Sequence, residues 1–271
     1  MTQLPQGAVV SEALELSASA PPGKVSRALA EEVPVALSYN GSTQAVMMAS
    51  PSDLTDFAYG FSLTEGIITH PDQITDLSIE VHDAGTELRM WLAEDQSRAL
   101  TTRRRAMAGP VGCGLCGIDS LSEATRALPQ VTADPRLPLA AVLTATQTLR
   151  AAQTLHDATR SVHAAGFLTR DGLLLAREDV GRHNALDKVI GALTRQGISP
   201  ATGAFVLTSR VSIELVQKCA LAGSGLLIAV SAPTTRAIAT ADAAGVTLVA
   251  LSRAASVLAF THTSRLTGNT P

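Results

Sequence analysis

Aromatic residues are scarce in this chain. Only 3% of its 271 residues are Phe, Trp or Tyr, too few to form a stacking platform for single-stranded nucleic acid. The formal net charge of −3 also disfavours a general nucleic-acid coat. Charged residues make up 17% and apolar residues 46%, a balance typical of a globular protein and not of a disordered one.

Long apolar runs, a secretory leader and an even set of cysteines are also missing. The longest uncharged run, residues 219–235, is interrupted by glycine, serine, proline and threonine, which disfavours a transmembrane helix. Residues 1–22 lack a basic start followed by an apolar block. Three cysteines in 271 residues indicate a reduced protein. We therefore expect a cytoplasmic protein that binds neither membranes nor nucleic acid.

Two of the three cysteines lie in a glycine-rich loop, Gly109-Pro-Val-Gly-Cys-Gly-Leu-Cys-Gly-Ile-Asp119. Four glycines in nine residues disfavour a helix or strand and allow another molecule to approach the backbone. Arg103-Arg104-Arg105 just before the loop favours the thiolate form, which is the reactive form of cysteine. The sequence therefore predicts reactive thiols at Cys113 and Cys116.

Three other interpretations of this Cys-x-x-Cys remain open. A structural zinc site needs two more ligands, and the sequence offers only Cys219, in an apolar-periodic run, and six scattered histidines. A structural disulfide fits poorly with so few cysteines. A thioredoxin-like redox pair normally follows a strand and opens a helix, whereas a triple arginine and Gly-Pro precede this one. We expect no structural metal.

The N-terminal half predicts a small α+β domain. Residues 1–24 have no periodicity and read as a disordered tail. Strands are expected at 33–39 and 44–48 around an Asn40-Gly41 turn, then at 67–68, 74–81 and 87–92. Between them, Ser50-Pro51-Ser52-Asp53 predicts a serine-capped helix that ends near Gly66. The proline-rich segment 129–138 suggests a boundary, with the α+β domain at 25–134 and a second domain at 135–271.

The C-terminal half predicts an α/β domain, because strands alternate with amphipathic helices. Such alternation indicates a mostly parallel sheet with helices on both faces. The predicted elements are helix 139–155, strands 162–169 and 173–176, helix 184–195, strand 204–208, helix 211–222, strand 226–230, helix 234–243, and strands 246–251 and 257–261.

Three strand-to-helix turns of this domain carry polar residues suited to an anion. The first is the charged block from Arg177 to Lys188, and the others are 208–210 and 231–236. Ligands of open α/β sheets bind at the carboxyl ends of strands, and helix N-termini offer free N–H groups to phosphates. A solvated, capped helix start is the alternative for the charged block. The candidate ligand-binding residues are Arg182, His183, Asp187, Ser209, Arg210 and Thr234.

His163 raises the possibility of a zinc deaminase, whose signature is His-x-Glu followed by Pro-Cys-x-x-Cys. Position 165 is alanine, and the Cys-x-x-Cys lies upstream of the histidine. Deaminase chemistry is therefore disfavoured, and His163 is more simply a packed or hydrogen-bonded residue.

Taken together, these stretches resemble the formate dehydrogenase accessory sulfurtransferases, of the FdhD/NarQ type. The resemblance covers residues 30–266. Its matching pieces are Phe57 to Ile68, the Gly112 to Gly117 loop, Arg177 to Gly191, Ser209-Arg210, Val216 to Lys218 and Val230 to Thr234.

The resemblance implies a three-layer α/β/α, cytidine-deaminase-like C-terminal domain without the deaminase zinc, beside the smaller N-terminal α+β domain. It also implies a homodimer in which Cys113 carries a persulfide from a cysteine desulfurase. The sulfur would then pass to bis(molybdopterin guanine dinucleotide), the molybdenum cofactor, before this enters the formate dehydrogenase apoenzyme. Guanine nucleotides would be partial mimics of that ligand. The implied cofactor-contacting segment is Leu251, Ser252, Arg253, Ala254, Ala255 and Ser256.

The residues alone leave two alternatives to a sulfur carrier. One is a thiol–disulfide oxidoreductase that uses Cys113 and Cys116. The other is a non-catalytic cofactor chaperone, which would keep its function with Cys113 replaced.

Overall fold

The computed structural model of the chain describes residues 4–96, 128–253 and 256–268. The strands are β1 (Ala8–Glu15), β2 (Gly23–Ala30), β3 (Val33–Tyr39), β4 (Ser42–Ala49), β5 (Ile74–His82), β6 (Gly85–Leu92), β7 (Leu137–Pro138), β8 (His163–Thr169), β9 (Gly172–Asp179), β10 (Ala204–Leu207), β11 (Leu226–Ala229), β12 (Thr247–Arg253), β13 (Ser256–Ala259) and β14 (Leu266–Thr267). The helices are α1 (Leu54–Thr64), α2 (Leu139–Ala151), α3 (Thr154–Thr159), α4 (Arg182–Arg195), α5 (Ile213–Leu221) and α6 (Thr235–Ala244). Among these described residues, no helix is long and apolar enough to cross a membrane.

Part of the expected disordered tail is strand, because residues 8–15 and 23–24 belong to β1 and β2. β1 and β2 pair antiparallel from Ala8↔Ala30 to Glu15↔Gly23 and form a two-stranded ribbon. At the base of the ribbon, the amide of Glu31 donates to the carbonyl of Gly7 at 2.7 Å. The sequence of β1 has valines at 9 and 10 but no regular alternation, so local pattern alone did not reveal the strand.

A four-stranded sheet follows, in the order β4-β3-β6-β5. The hairpin predicted at Asn40-Gly41 is present, and Asn40 has the positive φ of 50° that such a tight turn requires. One face of this sheet packs on α1 through a buried cluster that includes Leu37, Leu88, Met90 and Phe57. Along β6 the buried residues alternate with more exposed ones, as expected for a sheet with one buried face.

Two local predictions in this region are wrong. The N-cap of α1 is Asp53, with a φ of 54° and no side-chain capping bond, while the hydroxyl of Ser50 accepts from the amide of Val180. Residues 67 and 68 form no strand, because both amides donate to the carbonyl of Ser62 in a turn that closes α1. The hydroxyl of Ser50 thus serves a distant segment, whereas the amides of residues 67 and 68 serve the turn that follows α1.

The second, six-stranded sheet has the order β13-β12-β11-β10-β8-β9 and is mixed, not mostly parallel as predicted. β10, β11 and β12 are mutually parallel, whereas the β10–β8, β8–β9 and β12–β13 pairs are antiparallel. Two residues separate β8 from β9, and two separate β12 from β13. So short a link cannot make the crossover that parallel pairing needs.

Helices cover both faces of this six-stranded sheet. Residues of α4, α5 and α6 pack with Phe167, Phe205 and Leu248 on one face. Val142, Ala145 and Leu149 of α2 pack with the other face. The described chain is therefore a mixed α/β protein with several sheets, and its specifically cytidine-deaminase-like layering stays a prediction.

The predicted helix 139–155 is divided into α2 and α3. Gln153 is the N-cap of α3, and the carboxylate of Glu178 on β9 accepts from the amides of Leu155 and His156 at 2.7 and 2.8 Å. A carboxylate at a helix N-terminus satisfies free donors and complements the helix dipole. The side chain of Glu178 thus stabilises a second helix start that local periodicity did not reveal.

The two sheets are joined by a close crossing of α1 and α4. A Cβ placed on Gly60 would lie 1.7 Å from the carbonyl oxygen of Asp187, and one on Gly191 would lie 1.8 Å from that of Asp56. Each glycine therefore admits the backbone of the opposite helix, which a larger residue would exclude. The proposed boundary at 134/135 stays a prediction, although Val131 already packs in the C-terminal core cluster.

Candidate functional site

The turns singled out in the sequence lie along one edge of the six-stranded sheet. β10, β11 and β12 end there in parallel, and β8 begins there because it runs antiparallel to β10. The amide of Val211 donates to the carbonyl of Ala232, which ties the turn after β10 to the turn after β11. The carboxyl edge of a parallel set of strands is where open α/β sheets bind their ligands.

A cavity of about 760 Å³ opens at this edge, on the face covered by α2. Its volume is within the range of small-molecule sites. The lining side chains that bear on ligand chemistry are Arg150, His156, Arg160, His163, Ser252 and Arg253. Three of them are arginines, and no carboxylate belongs to the described lining. The cavity therefore favours an anionic ligand.

The outer wall of the cavity is the segment around α3. Arg150 pairs with Asp157 at 2.5 Å, and Arg160 lies 3.8 Å from the same carboxylate. The Nδ1 atom of His156 lies 3.1 Å from the carbonyl oxygen of Val162. In a neutral imidazole this contact places the proton on Nδ1 and leaves Nε2 as an acceptor. The wall thus combines arginine donors with a histidine whose Nδ1 contacts a backbone carbonyl.

His163 lies at the first position of β8, half-buried in the cavity wall. Burial lowers the pKa of its imidazole, and repulsion by Arg182 and His156 acts in the same direction. A neutral imidazole at pH 7 can both donate and accept a hydrogen bond. At the cavity wall, His163 can thus offer a ligand one hydrogen-bond donor and one acceptor.

The inner wall of the cavity comes from the end of β12. Leu251 has a φ of 52°, and the pairing of β12 with β13 is irregular between Ala250 and Arg253. The hydroxyl of Ser252 lies 3.1 Å from that of Thr146 on α2, and Arg253 is exposed. Two of the six residues of the expected cofactor segment, Ser252 and Arg253, thus line the cavity.

The rest of the expected cofactor segment is placed as follows. Ser256 begins β13 and is exposed, whereas Ala254 and Ala255 lie outside the described residues. A β-bulge changes the direction in which the side chains of a strand point. The irregular pairing here allows the backbone to turn between Leu251 and Arg253.

The charged block 177–188 is largely an internal ionic network. Lys188 is fully buried, and its Nζ lies 2.6 Å from Asp179 and 3.0 Å from the carbonyl of Ser50. Asp179 also accepts from the amides of Ser50 and Gly181 and from the side-chain amide of Asn184. Every acceptor position of this buried carboxylate is thus close to a donor, as a buried charge requires.

Asp187, predicted to bind the ligand, is buried instead. Its carboxylate accepts from the Nζ of Lys218 at 2.9 Å and from the hydroxyl of Thr64 at 2.8 Å. Burial opposes the charge on Lys218, but attraction by Asp187 and Glu65 prevails and raises its pKa. We therefore assign Asp187 to the contact between α1, α4 and α5, because its oxygens are used within the chain.

Arg182 and His183 lie at the first turn of α4, and neither lines the cavity. The Nε of Arg182 and the Nε2 of His183 are buried without a hydrogen-bond partner in the described part of the chain. Burial lowers the pKa of His183 to about 4, and repulsion by Arg182 and Lys218 adds to this effect. His183 is therefore neutral at physiological pH.

The remaining predicted residues also lie at the sheet edge but outside the cavity lining. Ser209 is buried, and its hydroxyl donates to the carbonyl of Arg210, which is exposed. Thr234 is the N-cap of α6 and accepts from the amide of Ala237 at 3.1 Å. Their hydroxyls are thus used within the turns, and only Arg210 has a free polar head at the surface.

Cys113, Cys116 and the arginines at 103–105 lie outside the described residues. The third cysteine, Cys219, is fully buried in α5, where burial raises the pKa of its thiol to about 12. A thiol with so high a pKa is almost entirely protonated at neutral pH and is a poor nucleophile. This agrees with the interpretation of Cys219 as a core residue.

Sequence reasoning missed the polar residues of α2 and α3 that line the cavity. Arg150, His156 and Arg160 lie within or beside helices whose pattern reads as ordinary amphipathic sequence. A usable signal existed in Arg150-x-x-Gln153-x-x-His156-x-x-x-Arg160, where polar residues recur at helical spacing. That spacing predicts one polar helix face, but it does not predict that this face lines a cavity.

The chain is similar to known proteins over nearly its whole length. A protein 51% identical over 247 residues, covering 90% of this chain and 91% of its own, is the sulfur carrier protein FdhD of Agrobacterium fabrum. The sulfur carrier protein FdhD of Bordetella petrii is 48% identical over 239 residues, covering 88% of this chain and 86% of its own.

Similarity extends to a solved structure. The crystal structure described as a formate dehydrogenase accessory protein of Desulfotalea psychrophila superposes with a TM-score of 0.76 at 25% identity. It covers 96% of this chain and 99% of its own. The FdhD/NarQ family profile matches residues 30–267. The chain belongs to the FdhD/NarQ family.

Proposed function

We propose that the protein is a sulfur carrier that serves a formate dehydrogenase. Its sulfur would come from a cysteine desulfurase, and its acceptor would be bis(molybdopterin guanine dinucleotide). The observation that carries the proposal is the arginine-lined cavity at the sheet edge, in a chain about half identical to proteins named sulfur carriers. A homodimer is part of the proposal.

The first step is a thiol exchange at Cys113. The Cys113 thiolate attacks the outer sulfur of the desulfurase persulfide, and the S–S bond of that persulfide breaks. The sulfur stays on Cys113 as a new persulfide, and the desulfurase cysteine leaves as a thiolate. Such exchange is fastest when the attacking thiol has a pKa near the ambient pH, and the neighbouring arginines favour ionisation.

The second step needs a binding site for the large, anionic cofactor that accepts the sulfur, and the cavity supports such a site. That cofactor has two guanine nucleotide arms, each with a pyrophosphate. Arg160 and Arg253 are exposed at the cavity wall and suit phosphate oxygens, because a guanidinium can make two parallel hydrogen bonds. His156 contacts the carbonyl of Val162 through Nδ1, which leaves Nε2 for a polar group of the base.

The thiol assignment is tested by intact-mass analysis after incubation with cysteine and a desulfurase. We expect a gain of one sulfur that reductant removes, and no gain in Cys113→Ala. Cys219→Ala is the matched control and should gain the sulfur normally, because Cys219 is buried. Persulfide on Cys219, or unchanged loading in Cys113→Ala, would contradict the assignment.

The acceptor site is tested by calorimetry with GDP and ADP. Arg160→Gln and Arg253→Gln should each weaken GDP binding about tenfold or more, since a hydrogen bond to a charged group contributes about 1.5–3 kcal/mol. Arg236→Gln is the control, because Arg236 is exposed but outside the cavity lining. Equal affinity for GDP and ADP, or equal loss in all three variants, would argue against a guanine nucleotide site there.

Complementation separates the carrier from the alternatives. In cells that lack the native protein, Cys113→Ala should bind nucleotide normally yet fail to restore formate dehydrogenase activity. Full restoration would favour the non-catalytic chaperone. A requirement for Cys116 as strict as that for Cys113, with a two-electron redox titration of the pair, would favour the oxidoreductase.

A further inference from the structure

The cavity at the sheet edge has a charged rim. Arg150, Arg160 and Arg253 line the cavity, and we refer to these three residues as the rim. The side chains of Arg150 and Arg160 are 43% and 68% exposed, and Arg253 is exposed as well. Because these guanidinium groups lie near solvent, they attract the charge of an anionic ligand without enclosing the rest of it. Recognition of the uncharged part of the ligand therefore needs other residues.

The cavity also has a buried, uncharged floor. We refer to three of its lining residues as the floor: Thr146, Gln153 and Ser252, which are 8%, 2% and 5% exposed. The hydroxyls of Thr146 and Ser252 lie 3.1 Å apart and hydrogen-bond to each other. The side-chain amide of Gln153, by contrast, has no hydrogen-bond partner in the described part of the chain. Within the floor, the polar group of Gln153 is thus the one left for a ligand.

The side chain of Gln153 has no role in starting α3, although Gln153 is the N-cap of that helix. Its backbone is fully used, because its amide donates to the carbonyl of Arg150 at 3.3 Å and its carbonyl accepts from the amide of Asp157 at 3.0 Å. The first free amides of α3 are already bonded to the carboxylate of Glu178. A capping function therefore does not explain a glutamine at this position.

A buried side-chain amide without a partner is unusual. Most buried polar groups in proteins are hydrogen-bonded, and an unpaired one destabilises the folded chain. Binding pockets are an exception, since a few polar groups among apolar ones orient the ligand there. Val162, Val180 and Val230 supply the apolar lining of this cavity. Gln153 therefore has the surroundings of a residue that hydrogen-bonds a ligand.

The chemistry of the side chain narrows the class of ligand. A glutamine amide presents a donor and an acceptor side by side, and the edge of a nucleobase presents the complementary pair. The flat, apolar face of such a ring suits contact with valine side chains. We propose that Gln153 hydrogen-bonds the base of a nucleotide whose phosphates lie at the rim. This inference rests on the acceptor site proposed above and adds the residue that recognises the base.

Calorimetry with GDP and with inorganic pyrophosphate tests the assignment. Gln153→Leu should weaken GDP binding about tenfold, because two neutral hydrogen bonds are lost, and should leave pyrophosphate binding unchanged. Arg160→Gln should weaken the binding of both probes. Gln147→Leu is the matched control, because Gln147 also lines the cavity but is exposed, and it should change neither affinity.

The stability of the unliganded protein separates a binding role from a structural one. Because the Gln153 amide is unpaired within the described chain, Gln153→Leu should leave the urea midpoint unchanged or raise it. A lower midpoint would show a structural role and overturn the proposal.

The binding outcomes also separate this inference from the acceptor site. Unchanged GDP affinity in Gln153→Leu, or an equal loss for GDP and pyrophosphate, would refute base recognition by Gln153 while leaving the anion site intact. A wild type that binds neither probe would refute both the acceptor site and this inference. Persulfide loading of Cys113 should be normal in Gln153→Leu, because the substitution affects only nucleotide binding.

Discussion

The neutral state of His183 should make the stability of the protein depend on pH in a measurable way. Burial lowers the pKa of this imidazole from 6.5 to about 4, with Arg182 and Lys218 adding repulsion and Glu214 and Glu65 opposing it. The folded protein therefore binds this proton less readily than the unfolded chain does. The stability contributed by neutral His183 is complete above pH 6.5 and is lost as the pH falls toward 4.

The size of the effect follows from the shift. Lowering the pKa from 6.5 to about 4 corresponds to a loss of about 3 kcal/mol of unfolding free energy between neutral pH and pH values below 4, because one pKa unit is about 1.4 kcal/mol. Between pH 7.5 and pH 5 the loss is about 2 kcal/mol, since most of the unfolded imidazole is already protonated at pH 5. Other groups titrate in the same range, so the comparison must be between matched variants.

The assay is urea unfolding of the wild type and of His183→Gln at pH 7.5 and pH 5, followed by circular dichroism. Glutamine is neutral at both values, so the variant should lose about 2 kcal/mol less than the wild type on acidification. His70→Gln is the control, because the His70 side chain is 66% exposed and should leave the difference unchanged. Parallel pH profiles for the wild type and His183→Gln would refute the reasoning.

Two further perturbations test the internal network and the helix crossing. Lys188→Met should destabilise the protein by about 3–5 kcal/mol in urea unfolding, because it leaves Asp179 buried without its cation. Arg136→Met is the control and should destabilise it by less than about 1 kcal/mol, because the pair of Arg136 with Asp134 is exposed. Gly191→Ala should lower the free energy of unfolding by about 3 kcal/mol or more, because its Cβ would meet the backbone of Asp56. Gly23→Ala is the control and should be nearly neutral, because the space around Gly23 is open. Equal thermal midpoints for the two variants would contradict a close crossing of α1 and α4.

Local pattern predicted most elements of the six-stranded sheet but not their arrangement. The predicted helix 184–195 is α4, extended by two residues, because its apolar residues recur at helical spacing. The direction of β8 relative to β10 is a pairing between distant segments, which periodicity does not encode. For the same reason, the pattern gave a helix through Gln153, where a carboxylate from β9 starts a new one.

The charged block shows why site prediction from sequence is harder than element prediction. A run of charges after a strand indicates either a ligand or a buried partner, and the sequence does not say which. Asp187 meets Lys218 from α5, and Lys188 meets Asp179 and the carbonyl of Ser50. Those partners lie 31, 9 and 138 positions away, so only the folded chain reveals that these charges are satisfied internally.

The glycine crossing between α1 and α4 has a consequence for how the chain can be divided. If α1 and α4 move apart, their backbones lose direct contact at Gly60 and Gly191, and neither glycine has a side chain to fill the gap. We therefore expect the two sheets to unfold together. A fragment of residues 25–134 would leave Asp56 without Arg177 and Arg195, and Thr64 without Asp187 and Lys218. Such a fragment should be aggregation-prone. A split protein should instead recover its fold only when both halves are produced together.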